Sequence, residues 1–229
     1  MQKLRKLFWY LKFLFIFANK LLNKKNKILL KNLILEKATE MFLTLGFKSV
    51  TMDNIASELS ISKKTIYQHY ADKTALVEAV SFDLFEKIST GIDNICSFDN
   101  NPVEELFEVK DFVMQHLKDE KVSPLYQLQK YYPKIHKTLM LKQFEKMQSC
   151  VVDNLQRGIS LDLYRKSIDI DIISRLYFAG IQSIKHDELF PSEKFNPKEL
   201  QIKYLEYHLR GICTSKGIEI LEYKLNQKH

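Results

Sequence analysis

Apolar residues recur at spacings of three and four along most of this chain, and the strict alternation of a half-buried strand is almost absent, so the pattern predicts an all-α protein. Ile34, Ala38, Met41, Phe42 and Leu45 fall on one face of a first helix, and Gly46 is placed to cap its C-terminus. Thr51 stands immediately before the next apolar-periodic run and can cap it, with Asp53 favoured by the helix dipole. Ile55, Ala56 and Leu59 make the inward face of that helix, and small Ala56 admits a close neighbour. Ser60 and Ile61 form a turn with Ile61 pointing inward, and Ser62 repeats the capping role for a helix over Lys63 to Tyr70. Two caps this close force two short helices.

Further along, the pattern predicts helices over Asp72 to Ile95, Val103 to Leu117, Pro124 to Tyr132, and Pro133 to Arg157 with Gly158 as its cap. Others follow over Asp169 to His186, Pro197 to Thr214 and Ile218 to Leu225, with Phe98 to Pro102, Phe190-Pro191 and Asn196-Pro197 as breaks.

The second short helix carries the candidate chemistry. Ile66 and Tyr70 share its buried side, whereas Lys64 and Gln68, also four apart, point away. Lys63 and Lys64 suit phosphates or a guanine edge, and Gln68 suits an adenine edge. Thr65, Tyr67 and His69 can donate to phosphate oxygens, and Lys73, opening the next helix, would clamp the flanking backbone. This is the layout of a DNA-binding helix-turn-helix.

These residues resemble the TetR/AcrR transcriptional regulators. The family signature runs Thr, Ile-Ala, Gly-Val-Ser, Thr-Leu-Tyr-x-His/Tyr-Phe and Lys. Here it reads Thr51, Ile55-Ala56, Ser60-Ile61-Ser62, Thr65-Ile66-Tyr67-Gln68-His69-Tyr70 and Lys73. The likeness is specific over residues 28–88 and departs at two positions. Ser60 replaces a glycine, which points to a strained turn, and Lys64 replaces a small residue, so it replaces or blocks a contact that relatives make.

The resemblance implies a three-helix DNA-binding domain over residues 28–88 and a helical effector-binding and dimerisation domain over residues 89–229. It further implies a homodimer on a double-stranded, palindromic operator, repression released by a small-molecule effector, a cytoplasmic location and no cofactor. Residues 164–180 and 208–225 look like the family's dimer bundle, though their spacing alone shows amphipathic helices. An effector pocket would draw on Tyr126, Tyr131, Tyr132, His136, Met140, Phe144, Met147 and Phe178, a stripe that plain core packing also explains.

At 229 residues and 45% hydrophobic, the chain can bury a sizeable core. The formal charge of +7 is uneven, because residues 1–26 hold seven bases and no acid, and without them 28 bases face 28 acids. DNA binding therefore rests on the local cluster and not on the overall charge. Residues 1–27 form an atypical basic and apolar extension whose run from Leu7 to Ala18 is too short to span a bilayer. It reads either as a membrane-surface helix or as translated upstream sequence from a misplaced start, and its Lys, Asn, Phe, Leu and Ile bias favours the second.

Cys96, Cys150 and Cys213 are odd in number and lack any CxxC spacing, which indicates neither a disulfide framework nor a metal site. Each reads as a small buried hydrophobe, since redox sensing needs an exposed, electropositive setting. An enzyme would need a constellation that is missing: there is no GxGxxG, Walker loop, GxSxG or HExxH, and His186-Asp187-Glu188 reads as a solvated helix end. A third class, a membrane-tethered or architectural DNA binder without effector control, is motivated by the basic N-terminus.

Overall fold

A computed structural model describes residues 2–98, 100–116 and 124–227; the side chains of residues 2–19, 21, 116 and 124–126 lie outside the described residues. The helices are α1 (Gln2–Leu45), α2 (Met52–Glu58), α3 (Lys63–Tyr67), α4 (Lys73–Cys96) and α5 (Pro102–His116). They continue as α6 (Pro124–Tyr131), α7 (Pro133–Ser160), α8 (Ile170–Ser183), α9 (Pro197–Ile212) and α10 (Ser215–Asn226). The described residues hold no β-strand, only an isolated antiparallel bridge between Tyr164 and Cys213. Contacts divide the chain into two compact units, Met1–Val80 and Ser81–His229, with α4 passing from the first into the second.

In the first unit α1 runs unbroken through residue 27. Its C-terminal half buries Ile34, Ala38 and Phe42, and Gly46, at φ 83, ends it while donating to the Phe42 carbonyl at 2.9 Å. Leu45, expected on the inner face, is 52% exposed instead. The left-handed turn at Gly46 swings the chain so that Phe47 enters the core, its ring 5.1 Å from that of Phe42.

Thr51 caps α2 with its side chain, and Asn54 answers by accepting from the Thr51 N–H at 2.8 Å, which completes a reciprocal capping box. The α2 C-terminus closes with the Ile61 N–H on the Ala56 carbonyl and the Ser60 N–H on the Ser57 carbonyl. That bond pair defines a Schellman motif, whose left-handed position falls on Ser60 at φ 53. The strain expected from a serine in a glycine position is thus present.

Ser62 caps α3 by accepting from the Thr65 N–H. The helix ends at Tyr67, not Tyr70: beyond it the His69 N–H turns to the Ile66 carbonyl at 2.9 Å and the bonding tightens into a turn. Tyr70 is then folded inward with its hydroxyl on the Lys31 carbonyl, and Asp72 starts α4 by accepting from the Ala75 N–H at 2.8 Å.

The second unit packs α5 against α7, α9 and α10, and α8 against α7 and α9. Its core includes Phe107, Leu155, Tyr164, Leu205, Leu209 and Leu221. Gly158 is not the cap expected from sequence, because α7 continues to Ser160 and the left-handed residue is Asp162, at φ 58. Gly158 is there for space: a Cβ on it would meet the Tyr164 ring at 2.0 Å. The α8 helix stops at Ser183, short of His186, as bonding shifts to a turn. Thr214 does not extend α9; its hydroxyl accepts from the Gly217 N–H and starts α10 three residues before Ile218.

Polar groups cross this core. Glu105 on α5 is 1% exposed, ion-paired with Arg157 and accepting from Asn154 Nδ2 at 2.7 Å. The Tyr164 hydroxyl donates to Asn154 Oδ1 at 3.1 Å, and Asn154 also reaches the Pro102 carbonyl at 3.0 Å. A buried carboxylate is tolerable only when its lone pairs are met in this way.

Candidate nucleic-acid interface

The caps at Thr51 and Ser62 and the left-handed turn at Ser60 hold α3 across α2, with Ile66 and Tyr70 anchored inward. The opposite surface of α3 then presents Lys64, Tyr67 and Gln68, all exposed, with Tyr67 at 43%. Thr51 is committed to its cap, and the Thr65 hydroxyl pairs with that of Ser62 at 2.7 Å. Lys63 is also engaged, its ammonium 2.6 Å from Asp53 on α2, a pairing that raises its pKa and braces the two helices.

His69 lies half-buried beside α1, where burial, followed by the nearby charges of Lys27 and Lys31, holds it below the ordinary histidine range. It therefore offers a neutral ring N–H at physiological pH. Asn26, Lys27, Leu30, Gln68 and His69 line an open concavity of about 460 Å³ between α1 and the end of α3. Lys73 leans back toward the α1–α2 loop, donating to the Lys48 carbonyl at 3.4 Å, and burial lowers its pKa. Sequence reasoning missed Asn54 and the α1 wall of the concavity. Thr51-x-x-Asn54 carried the first signal, as a capping-box spacing, while the second needs the packing of α1 on α3.

The effector candidates scatter more widely. Tyr126 has its side chain outside the described residues. Tyr131 and Met140 are exposed, whereas Tyr132 and His136 are half-buried near the start of α7, where burial and then the His186 charge lower the His136 pKa. Phe144 and Phe178 do meet, edge to face with ring centres 5.2 Å apart, and the Arg175 guanidinium lies 5.4 Å from the Phe144 ring. Met147 packs against the core cluster of this unit. Beside them are groups the sequence did not single out. Gln148 donates to buried Ser174 at 2.8 Å, and His208 packs on the Tyr177 ring at 4.5 Å.

A capped helix-turn-helix that shows lysine, tyrosine and glutamine to solvent over a closed apolar core defines a DNA-binding regulator. Residues 34–80 match the family model described as bacterial regulatory proteins, tetR family. The HTH-type transcriptional repressor KstR2 of Mycolicibacterium smegmatis is 23% identical over 194 residues, which span 80% of this chain and 91% of that protein. Among solved structures, a transcriptional regulator from Cytophaga hutchinsonii shares the fold at TM-score 0.67 and 19% identity, over 80% of this chain and 98% of the other. The ketosteroid transcriptional regulator KstR2 of Mycobacterium tuberculosis does so at TM-score 0.56 and 20% identity, over 81% and 95%. These relatives are regulators rather than enzymes. Among the described residues no helix is long and apolar enough to cross a membrane, and no cluster of side chains is arranged to hold a metal ion.

Proposed function

We propose that the protein is a homodimeric transcriptional repressor that grips a pseudo-palindromic operator through α3 and leaves it when a small molecule binds the second unit. The carrying observation is the solvent-facing set Lys64, Tyr67 and Gln68 on a helix whose opposite face is fully committed to packing. Lys64 and Gln68 read base edges, Tyr67 and His69 donate to phosphates, and Lys73 serves the flanking backbone once it leaves the Lys48 carbonyl. Lys63 and Thr65 act chiefly by holding α3 in place.

A five-residue helix reads few bases, and two of them about one DNA turn apart add their free energies, so the task itself calls for a dimer. Ile172 and Leu176, one turn apart on α8 and 54% and 58% exposed, together with Tyr207 and Tyr223, offer apolar surface for it. The effector would be a largely apolar molecule entering beside Phe144 and Phe178, with Gln148 as a polar contact. Its control is a population shift, set by how much better it binds the conformer whose α3 helices no longer fit the operator.

Fluorescence anisotropy of the full chain on DNA from upstream of its own gene, with random DNA as competitor, tests the reading. Specific binding at dimer stoichiometry is expected. Gln68→Ala or Lys64→Ala should weaken it by about 1–3 kcal/mol at one base position, while Lys73→Ala weakens all sequences alike. Equal losses on specific and random DNA for all three variants would overturn the assignment of α3. Running residues 27–229 in parallel measures what the extension adds to binding.

A further inference from the structure

Cys96 and Cys150 have no part in the DNA-binding surface. Cys96 closes α4, Cys150 lies on α7, and both are partly exposed. Each thiol perturbs the titration of the other, which places the two side chains as neighbours between α4 and α7. One turn before Cys96, Asp93 forms an ion pair with Lys146, itself one turn before Cys150, so the two helices are pinned with both sulfurs on one seam. The setting is asymmetric. The hydrogen bond from Cys96 and the Lys146 charge pull Cys150 down to about 7 against the cost of burial, while the same bond, burial and Glu105 push Cys96 up. The Lys146 ammonium beside Cys150 favours a thiolate there, which makes Cys150 the attacking sulfur and Cys96 the resolving one. Cys213 is the contrast: it is buried, and burial pushes it up to about 11.

We propose that Cys96 and Cys150 form a dithiol site that a peroxide oxidises to a disulfide joining α4 to α7. The Cys150 thiolate attacks one peroxide oxygen, the O–O bond breaks, and the sulfur gives up two electrons. Hydroxide departs and is protonated to water, leaving a sulfenic acid on Cys150. The Cys96 sulfur then attacks the Cys150 sulfur and the S–O bond breaks. The departing hydroxide takes the Cys96 proton and leaves as a second water. Closing the bond draws the sulfurs to about 2.05 Å and so pulls the end of α4 toward α7. Because α4 begins in the DNA-binding unit, at Lys73, oxidation alters operator affinity. That consequence rests on the function proposed above; the thiol chemistry does not.

The test uses the full chain, reduced, desalted and treated with hydrogen peroxide. Thiols titrated after denaturation should fall from three to one, peptide mass spectrometry should find Cys96 joined to Cys150, and dithiothreitol should restore all three. Cys96→Ser should instead leave a sulfenic acid on Cys150 that dimedone traps. Three surviving thiols, a link to Cys213 or a link between chains would overturn the proposal. On operator DNA, a change in Kd of at least about threefold that dithiothreitol reverses and that the Cys96→Ser/Cys150→Ser variant lacks would support control of binding. An unchanged Kd with the disulfide formed would overturn that control. Absence of operator binding by the reduced protein would count against the DNA reading, and the thiol titration alone would then decide whether the dithiol site exists.

Discussion

The two units differ in how far apart along the chain their defining interactions lie. In the first, the turn between α2 and α3 is set by neighbours: Thr51 with Asn54, Ser62 with Thr65, and the Schellman bonds around Ser60, all within five residues. In the second, the polar bonds that fix the core run from Asn154 and Arg157 back to Glu105 and Pro102, about 50 residues away. Local bonds specify an element; distant ones specify how elements sit together. The first unit therefore tolerates loss of one bond at modest cost, while the second does not.

The sharpest way to break that contrast is Arg157→Ala. It leaves the carboxylate of Glu105 in the core without its cation, and thermal or urea unfolding should show a loss of about 3–5 kcal/mol. A loss under about 1 kcal/mol would mean that the distant network contributes no more than a cap does. Next in size is a pH effect in the same unit. Burial lowers His208 from 6.5 to about 4, so below 6.5 the unfolded chain takes up a proton that the folded chain refuses. Stability should be full above that pH and fall toward pH 4 by on the order of 3 kcal/mol, and His208→Phe should flatten that part of the profile. Gly158→Ala forces a methyl into the ring of Tyr164, which is itself tied to Asn154; calorimetry should register about 2 kcal/mol of destabilisation.

The first unit should respond less. Ser62→Ala removes the α3 cap and should cost about 1 kcal/mol, with operator affinity falling further than stability because α3 loses its fixed start. Ser60→Gly should have the smallest effect and the opposite sign, a gain of about 0.5–1 kcal/mol from relieving a left-handed serine. A loss on Ser60→Gly would show that the serine side chain contributes something the backbone angle does not reveal.

The same contrast explains what was legible in the sequence. Helix number and type, the α2–turn–α3 unit and the inward pair Ile66 and Tyr70 could be read because caps, periodicity and turn residues act over a few positions. The starts of α6, α7 and α9 were legible for the same reason, since proline fixes them. Gly158 was misread because a glycine near a helix end has the same local appearance whether it turns the chain or makes room for a ring from elsewhere. Leu45 was misread because its periodic position ignores the reversal at Gly46. The commitment of Lys63 to Asp53, and that of Lys73 to the Lys48 carbonyl, depends on helix placement, which no spacing rule encodes. The pairing of Cys96 with Cys150 was hidden for that reason too.

The buried bonding of Glu105, Asn154 and Arg157 also limits how this protein can transmit a signal. Sliding α5 along α7 by one turn would strand a charge in an apolar interior, so these two helices are obliged to travel as one block. Any ligand that acted through this unit would have two mechanical routes open to it: tilting that block whole, or deforming α8, whose inward polar contact to α7 is the neutral bond between Gln148 and Ser174.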